Sequence, residues 1–482
     1  MSLSLTEHLA HFLTRVDRAA LPLATAQTYT LDWLGSALAG TQTSPGQSLL
    51  DYAAAQPPME QATGAAVIGL PCPSTSSGRS AEVAALVNGG LSHIVEMDDL
   101  DRGSVLHPGA VVIPAALAVA QRERRSGRAF LEAAVLGYEV AIRVGEAVGR
   151  THYRYFHNTA TCGVFGAAAA AASLLGLSEE QIVWALGSAG TMSAGLWEFN
   201  RDGAMSKHLH AGRAAQTGVL AADLARRGFT GARAILEGER GFFAATSTDA
   251  DPARVLDGLD PQMGAWKMSG VSIKPHASCR HTHPAIDAAL ALRVRLTAER
   301  AEDAEDNQYR VSALSASSAV NDSLVHRAVR RIEIETYQAA LDLCDNPAPS
   351  TPYQAKFSLQ YCVASALARG HAALADFAPA RIADPQTAAL IAHTTLRHNN
   401  LFETMYPRQW PSNVTVACAD GRVLSQTINT PKGDPENPLS QSELEGKFRQ
   451  MLSDTPFAET SEGWLAFAAR LGEAPRVILP QA

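Results

Sequence analysis

The sequence predicts a mainly α protein with an α+β part: a large all-helical domain interrupted by a smaller α+β unit. Three observations carry this. Small apolar residues recur at helical spacing through the first half, two alternating runs flank Asp420-Gly421, and helical spacing returns after Pro438. A chain of 482 residues allows two or three domains. The composition breaks put them at 1–267 for the first part of the helical domain, 268–430 for the α+β unit and 431–482 for the helical return.

Taken in order, Leu5 to about Ala55 reads as helix, with Leu9, Phe12, Leu13 and Val16 at three-to-four-residue spacing and Pro22 opening a second helix. Gln56 to Gly78, rich in proline, is a loop with one extended piece, Ala65 to Leu70. Helices are then expected at Ala81 to Val87, Pro108 to Arg122, Ala129 to Val148, Val164 to Leu175, Glu179 to Ala189, Gly212 to Arg227 and Ala232 to Leu236. Runs such as Gly166 to Ala172 and Ala214 to Ala222 favour helix and close helix contacts. Beyond Trp266 the texture changes. Arg331 to Tyr337 alternates as a strand does, and Val414, Val416, Cys418, then Val423 and Leu424, surround the Asp-Gly pair that signals a hairpin. Helices at Pro284 to Leu296, Pro352 to Arg369 and Gln386 to His393 interleave with these strands; Ser440 to Leu452 and Gly463 to Leu471 are helical again.

Hydrophobic residues make up 46% and charged residues 18%, enough to bury a large core, which argues against disorder. Forty basic against 48 acidic residues, a net charge of -8, argues against a nucleic-acid partner. The sequence lacks an uninterrupted apolar stretch of membrane-spanning length, and Met1 to Arg15 lacks the apolar core of a signal peptide, so no membrane partner and a cytoplasmic location are expected. Six scattered cysteines (Cys72, Cys162, Cys279, Cys344, Cys362 and Cys418) include no C-x-x-C pair and are read as free thiols.

Chemistry concentrates in a few blocks. Glu96 to Gly109 holds the carboxylates Glu96, Asp98, Asp99 and Asp101, then Arg102 and Ser104, then His107 just before the proline that opens an apolar helix. A helix N-terminus favours anions, so His107 is suited to meet a substrate carboxylate or exchange a proton. Asp98, Asp99 and Asp101 could collect a divalent ion, but the glycine and glutamate of an EF-hand loop are not in place, and no metal is assigned. A second block, Lys274 to Pro284, packs Lys274, His276, Cys279, Arg280, His281 and His283 at the junction of the two domains. His281 and His283 have no second ligand pair, which argues against zinc. Lys207, His210 and Arg213 precede the small-residue helix, His157 opens another Ala-rich helix, and Lys356 reads as one face of an amphipathic helix. P-loop, dinucleotide, nucleophile-elbow and zincin motifs are missing, so nucleotide cofactors and hydrolase nucleophiles lose ground. What survives is acid-base chemistry on an anionic small molecule.

These blocks, in this order, resemble the MmgE/PrpD family, which includes 2-methylcitrate dehydratase, cis-aconitate decarboxylase and iminodisuccinate epimerase. The resemblance rests on Asn88-Gly89-Gly90-Leu91-Ser92-His93, the Glu-Met-Asp-Asp block from Glu96, His107 to Pro114, His157 with Gly163 to Gly166, Lys207 to Gly212, Lys274 to Pro284 and Ala355-Lys356-Phe357-Ser358, and it spans nearly the whole chain. It implies a smaller α+β lid domain beside the helical one, a homodimer, and a cofactor-free site in the cleft between the domains. By this resemblance, proton transfer falls to His107 and His157, with Asp98 or Asp99 orienting them. Lys207, Lys274 and Arg280 bind carboxylate and offset developing charge. Further substrate contacts fall to Glu96, Arg102, Ser104, His210, Cys279, His283 and Tyr337. Cys279 stands where some relatives carry a pocket histidine, which counts against cis-aconitate decarboxylation. The Asp-Asp-x-x-Arg and Leu-His-Pro-Gly pieces look most like the epimerase branch. The expectation is therefore a cofactor-independent isomerase or lyase that moves a proton at the carbon next to a carboxylate, with epimerisation of iminodisuccinate or a similar dicarboxylate as the specific form. The alternatives are a hydro-lyase, a carboxy-lyase and a non-catalytic ligand-binding relative.

Overall fold

Side-chain caps set where the helices begin. A computed structural model describes residues 3–59, 63–71, 78–302 and 329–480; Cys72 and Pro73 of the proline-rich loop lie outside the described residues. The helical body opens with α1 (Leu5–Arg15), α2 (Leu23–Gly40), α3 (Ser44–Ala54), α4 (Ala81–Ile94), α5 (Pro108–Arg122) and α6 (Gly127–Ala147). The short α7 (Arg150–Tyr153) and α8 (Asn158–Thr161) lead to α9 (Gly163–Leu175), α10 (Glu179–Thr191), α11 (Phe199–Asp202), α12 (Ser206–Arg226) and α13 (Phe242–Thr246). Ser4 and Ser178 form capping boxes with Glu7 and Gln181, Ser80 and Ser126 accept from the first free N–H groups of α4 and α6, and α9 stops at the left-handed Gly176.

Close packing depends on paired glycines. A Cβ on Gly166 of α9 would lie 2.4 Å from the Gly137 carbonyl oxygen of α6, and one on Gly212 of α12 would lie 2.1 Å from the Leu86 carbonyl oxygen of α4. Gly89 of α4 answers Gly212, with its own added Cβ 2.9 Å from the Gly212 Cα. This crossing lays the last turn of α4 beside the first turns of α12. The segment Asn158–Leu175 is long and apolar enough to pass for a membrane span, but it is 89% buried inside the body as a core element.

Several elements differ from expectation, each for a packing reason. α4 continues through Gly89 and Gly90 to Ile94, and α12 starts at Ser206 rather than Gly212, because tertiary contact offsets the helix cost of glycine. Ala232 to Leu236 is a turn between Gly231 and Gly238: an added Cβ at Gly231 would lie 2.2 Å from the Trp184 carbonyl oxygen, so the chain runs against α10 and does not coil. Of Ala65 to Leu70 only Ala65 pairs among the described residues, with Arg79. Pro352 to Arg369 is two helices, Pro352–Lys356 and Leu359–Arg369, the second capped by Ser358 Oγ accepting from the Tyr361 N–H at 3.0 Å.

The chain divides into two compact units, Met1–Ile273 with Ser440–Ala482, and Lys274–Leu439. The joints fall later than residues 268 and 431. Ser272 exchanges backbone hydrogen bonds with Leu100 at 2.8 and 2.9 Å, and Tyr29 donates to the Val271 carbonyl at 2.6 Å, so this stretch stays with the helical unit. The Lys432 N–H donates to Asp287 at 2.7 Å and Asp434 pairs with Arg280, so the loop after residue 430 stays with the second unit. The helix Gln441–Leu452 and its successor Ser461–Arg470 return to the first.

In the second unit a four-stranded sheet runs in the order β2-β1-β3-β4, with β1 (Val329–Thr336), β2 (Thr394–His398), β3 (Ser412–Cys418) and β4 (Val423–Ile428). β1 is parallel to β2 and antiparallel to β3, with Ile332 opposite Val416 and Ile334 opposite Val414; β3 and β4 form the expected hairpin around Asp420-Gly421. The helix α14 (His283–Glu302) packs on β3 and β4 and on Leu359–Arg369.

Candidate functional site

In the helical unit the acidic block is a tight turn between α4 and α5, and it is strained. Glu96 at φ 60° and Val105 at φ 50° lie in the left-handed region, at a cost of about 1–3 kcal/mol each. Surrounding bonds over-determine it. Lys207 of α12 forms a buried ion pair with Glu96. Lys447, from the helix Gln441–Leu452, donates to the Met97 carbonyl at 2.8 Å and pairs with the buried Asp32 of α2. Tyr138 donates to Asp99 at 2.7 Å and the Gly109 N–H does so at 3.0 Å. Asp101 accepts the N–H and hydroxyl of Ser104 at 2.8 and 2.7 Å, and Asn158 holds the Ser104 carbonyl at 2.7 Å.

Four imidazoles gather over this turn. One oxygen of Asp98 lies 2.6 Å from His93 Nδ1, at the end of α4, and 3.2 Å from His107 Nδ1, at the start of α5. The ring centroids of His93 stand 4.9 Å from His107 and 5.4 Å from His157, while His107 and His157 are 6.5 Å apart. His157 Nδ1 faces His210 Nδ1 at 3.2 Å. Burial holds His157 far below the usual histidine range, and the neighbouring His93 and Lys207 push the same way. Burial and the same two neighbours bring His210 down to about 4. Both rings are therefore neutral at pH 7, and one Nδ1–H donates to the other's lone pair. Burial raises Asp99 well above the carboxylate range and Asp101 to about 6.

The expected carboxylates thus part ways. Of the three aspartates of this block Asp98 faces the histidines, while Asp99 accepts from Tyr138 and Asp101 from Ser104. They do not converge as a metal set. The ligand atoms that do converge belong to His93, Asp98 and His107, within 4.8 Å of one another, a two-imidazole, one-carboxylate donor set. A metal there has to displace the His93–Asp98 hydrogen bond. Ser104, expected to bind substrate, spends its hydroxyl on Asp101, and Arg102 is half-buried.

The second unit has its own cluster. Lys274 is wholly buried. Arg280, expected to bind substrate carboxylate, pairs instead with the buried Asp434 and donates to the Lys432 carbonyl at 3.1 Å, since a buried guanidinium without an acid would cost too much. It also donates to His283 Nδ1 at 2.9 Å, while His283 Nε2–H points to the Ser278 carbonyl at 3.3 Å; burial and then Arg280 keep this ring neutral. Tyr337 is fully buried, its hydroxyl 2.7 Å from His281 Nδ1, and His281 stacks on Trp410 at 4.2 Å. Burial alone brings His281 to about 3. Cys279 is buried and joined through its N–H to the Lys356 carbonyl; Lys356 is itself buried near the Phe377 ring rather than on a solvated face. All five described cysteines are free thiols.

Comparison with known proteins decides the family: residues 7–255 match the MmgE/PrpD N-terminal domain and residues 276–471 the MmgE/PrpD C-terminal domain. The chain belongs to the MmgE/PrpD family. It is 28% identical to human cis-aconitate decarboxylase over 405 residues, 80% of this chain and 76% of that protein. It is 27% identical to a cis-aconitate decarboxylase-like protein of Aspergillus oryzae over 390 residues, 77% of this chain and 76% of that one, and 25% identical to a cis-aconitate decarboxylase of Aspergillus terreus over 386 residues, 76% and 74%. These relatives support a lyase-class reading of this MmgE/PrpD chain and lend nothing to iminodisuccinate epimerisation.

Four residues of this MmgE/PrpD fold escaped the reading of the sequence as site residues: His93, Tyr138, Asp434 and Lys447. Only His93 offered a signal, a histidine five residues before Asp98, and it lies past Val87, the expected end of its helix.

Proposed function

We propose that this MmgE/PrpD protein is a lyase that releases CO2 from a small polycarboxylate of the cis-aconitate type, with His107 delivering the proton and with no metal or organic cofactor. The observation that carries the reading is the setting of His107. Its Nδ1 faces the Asp98 carboxylate at 3.2 Å, and its side chain keeps 11% exposure while Asp98 and His93 keep 2% and 0%. The nearby Asp98 carboxylate favours the cationic form of the ring, and Nε2 is the atom proposed to meet a substrate. In the reaction the bond from carbon to the departing carboxylate breaks, its electron pair stays on the carbon skeleton beside a remaining carboxylate, and a proton from His107 Nε2 forms the new C–H bond. The charge that develops is enediolate-like, and the Lys207 ammonium beside the neutral His157–His210 pair offsets it. Relatives named as cis-aconitate decarboxylases over three quarters of both chains support the substrate class. The homodimer remains part of the proposal, and light scattering at one chain mass would remove it.

The test is NMR in deuterated water with cis-aconitate, citrate, 2-methylcitrate and iminodisuccinate. CO2 release from cis-aconitate with one deuterium on a product carbon is expected, and His107→Gln should cut turnover by about 10²–10⁴-fold. No turnover across the panel sinks the proposal. Water loss from 2-methylcitrate in place of CO2 release replaces it with a hydro-lyase.

A further inference from the structure

The segment leading into α5 has an unusual backbone. Val105 is β-branched yet sits at φ 50°, a left-handed conformation that such a side chain adopts only where its surroundings impose it. Asp101 closes the turn on itself: it exchanges backbone hydrogen bonds with Leu106 at 2.9 and 3.3 Å and accepts the Ser104 N–H and hydroxyl. Two neighbouring side chains then fasten that turn to α8, one on each side of the strained residue. Asn158 Nδ2 donates to the Ser104 carbonyl at 2.7 Å, and the Thr159 hydroxyl accepts the His107 backbone N–H at 3.2 Å.

Both side chains are buried at a cost in desolvation. Asn158 is 2% exposed and Thr159 0%, and among the described residues Asn158 Oδ1 has no partner and the Thr159 hydroxyl makes no other hydrogen bond. Leucine and valine fill the same space without burying a polar atom, so what the amide and the hydroxyl add is these two bonds. His157 opens α8, and its carbonyl accepts the Ala160 and Thr161 N–H groups at 2.9 and 3.1 Å. The backbone of His107 is therefore tied to the same short helix that holds His157.

We infer that Asn158 and Thr159 are positioning residues: they hold residues 104–107 against α8 with Val105 left-handed, and so set the separation of the two imidazoles, 6.5 Å between ring centroids. This rests on the reading of His107 as the proton donor and of His157 as a neighbour of the developing charge. The donor has to reach the carbon at which that charge forms, and a misplacement of about 1 Å in such a site can cost about 10²-fold. Without either bond the segment relaxes toward the backbone a valine prefers, and His107 moves with it.

The test compares losses of similar shape with a conservative replacement. Thr159→Val removes the hydroxyl, Asn158→Leu removes the amide, and Thr159→Ser keeps the hydroxyl. With cis-aconitate as probe, Thr159→Val and Asn158→Leu are expected to lower kcat about 10–100-fold with KM within about twofold, and Thr159→Ser to stay within about threefold of the parent. Independently of turnover, crystal structures of the parent and the variants read the separation of the His107 and His157 rings. Thr159→Ser should keep the parent value, and Thr159→Val and Asn158→Leu should change it by about 1 Å. An unchanged separation in both loss variants, a loss in Thr159→Ser equal to that in Thr159→Val, or a loss carried by KM overturns the inference. If the parent turns over no probe, the functional reading fails, and the ring separations still decide whether the pair positions His107. If Thr159→Val does not fold, Asn158→Leu carries the comparison against Thr159→Ser.

Discussion

Replacing Lys207 by methionine keeps the aliphatic stem and most of the volume, so the perturbation is the loss of one buried charge. Its partner Glu96 is 2% exposed, Lys207 is 3% exposed, and Glu96 is held at φ 60°. Removing one member of a buried pair typically costs about 3–5 kcal/mol, because the remaining charge loses its counter-ion in a poorly solvated place. The about 1–3 kcal/mol of left-handed strain at Glu96 is then held down by fewer contacts, which sets Lys207→Met at the upper end of that range. Glu96→Gln leaves an amide that still accepts from the ammonium, so about 1–3 kcal/mol is expected. In the double variant neither charge remains, and the loss should fall below the sum of the single losses by at least about 2 kcal/mol. Urea denaturation followed by circular dichroism, compared at equal slopes, measures all three. Turnover should be lost in Lys207→Met and in the double variant alike, because stability is restored there but the cation is not. A Lys207→Met protein within about 1 kcal/mol of the parent, or strictly additive losses, would refute the reasoning.

Other outcomes follow from the same structure. Gly212→Ala gains about 1 kcal/mol of helix propensity but drives a methyl to 2.1 Å from the Leu86 carbonyl oxygen, so overpacking wins and the thermal midpoint falls; Gly446→Ala, with open space around its Cβ in the helix Gln441–Leu452, should raise it. Asp101, raised to about 6 by burial, binds a proton in the folded state that the unfolded chain has already released, so its contribution to stability falls as pH rises from about 4 to about 6, by up to about 3 kcal/mol. Asp101→Asn should flatten that segment of the stability curve, and denaturation midpoints between pH 4 and 7 check it. Dialysis against a chelator should leave turnover unchanged; a loss that an added divalent ion restores assigns His93, Asp98 and His107 to a metal instead.

Much of the fold was readable because its signals are local. The Asp420-Gly421 turn and the Ala-rich runs announce themselves within a few residues. Gly89-Gly90 and Gly212 mislead for a physical reason: glycine reads as a helix breaker in isolation, and here it is what lets two backbones touch. β2 was missed because Thr394–His398 is a half-exposed edge with little apolar alternation, paired only through the parallel register with β1. At the site, His107, His157 and Lys207 stood out as candidates near helix starts, and their expected roles came from the resemblance. Which of the adjacent Asp98 and Asp99 would face them was not legible, because neighbouring side chains diverge and Tyr138 claims the second. Lys447 lies 350 positions from the Met97 carbonyl it holds, a separation no local pattern reports.

That separation sets an order of synthesis. All four rings of the cluster and the acidic turn beneath them are made before residue 211, whereas Lys447, which ties the turn to α2, emerges only after the whole of Lys274–Leu439. During translation, at about 5–20 residues per second, the second unit is complete and contiguous while the first still waits for its last helices. A nascent chain arrested at Leu439 therefore carries every histidine of the cluster but lacks the Lys447 tie between the turn and α2.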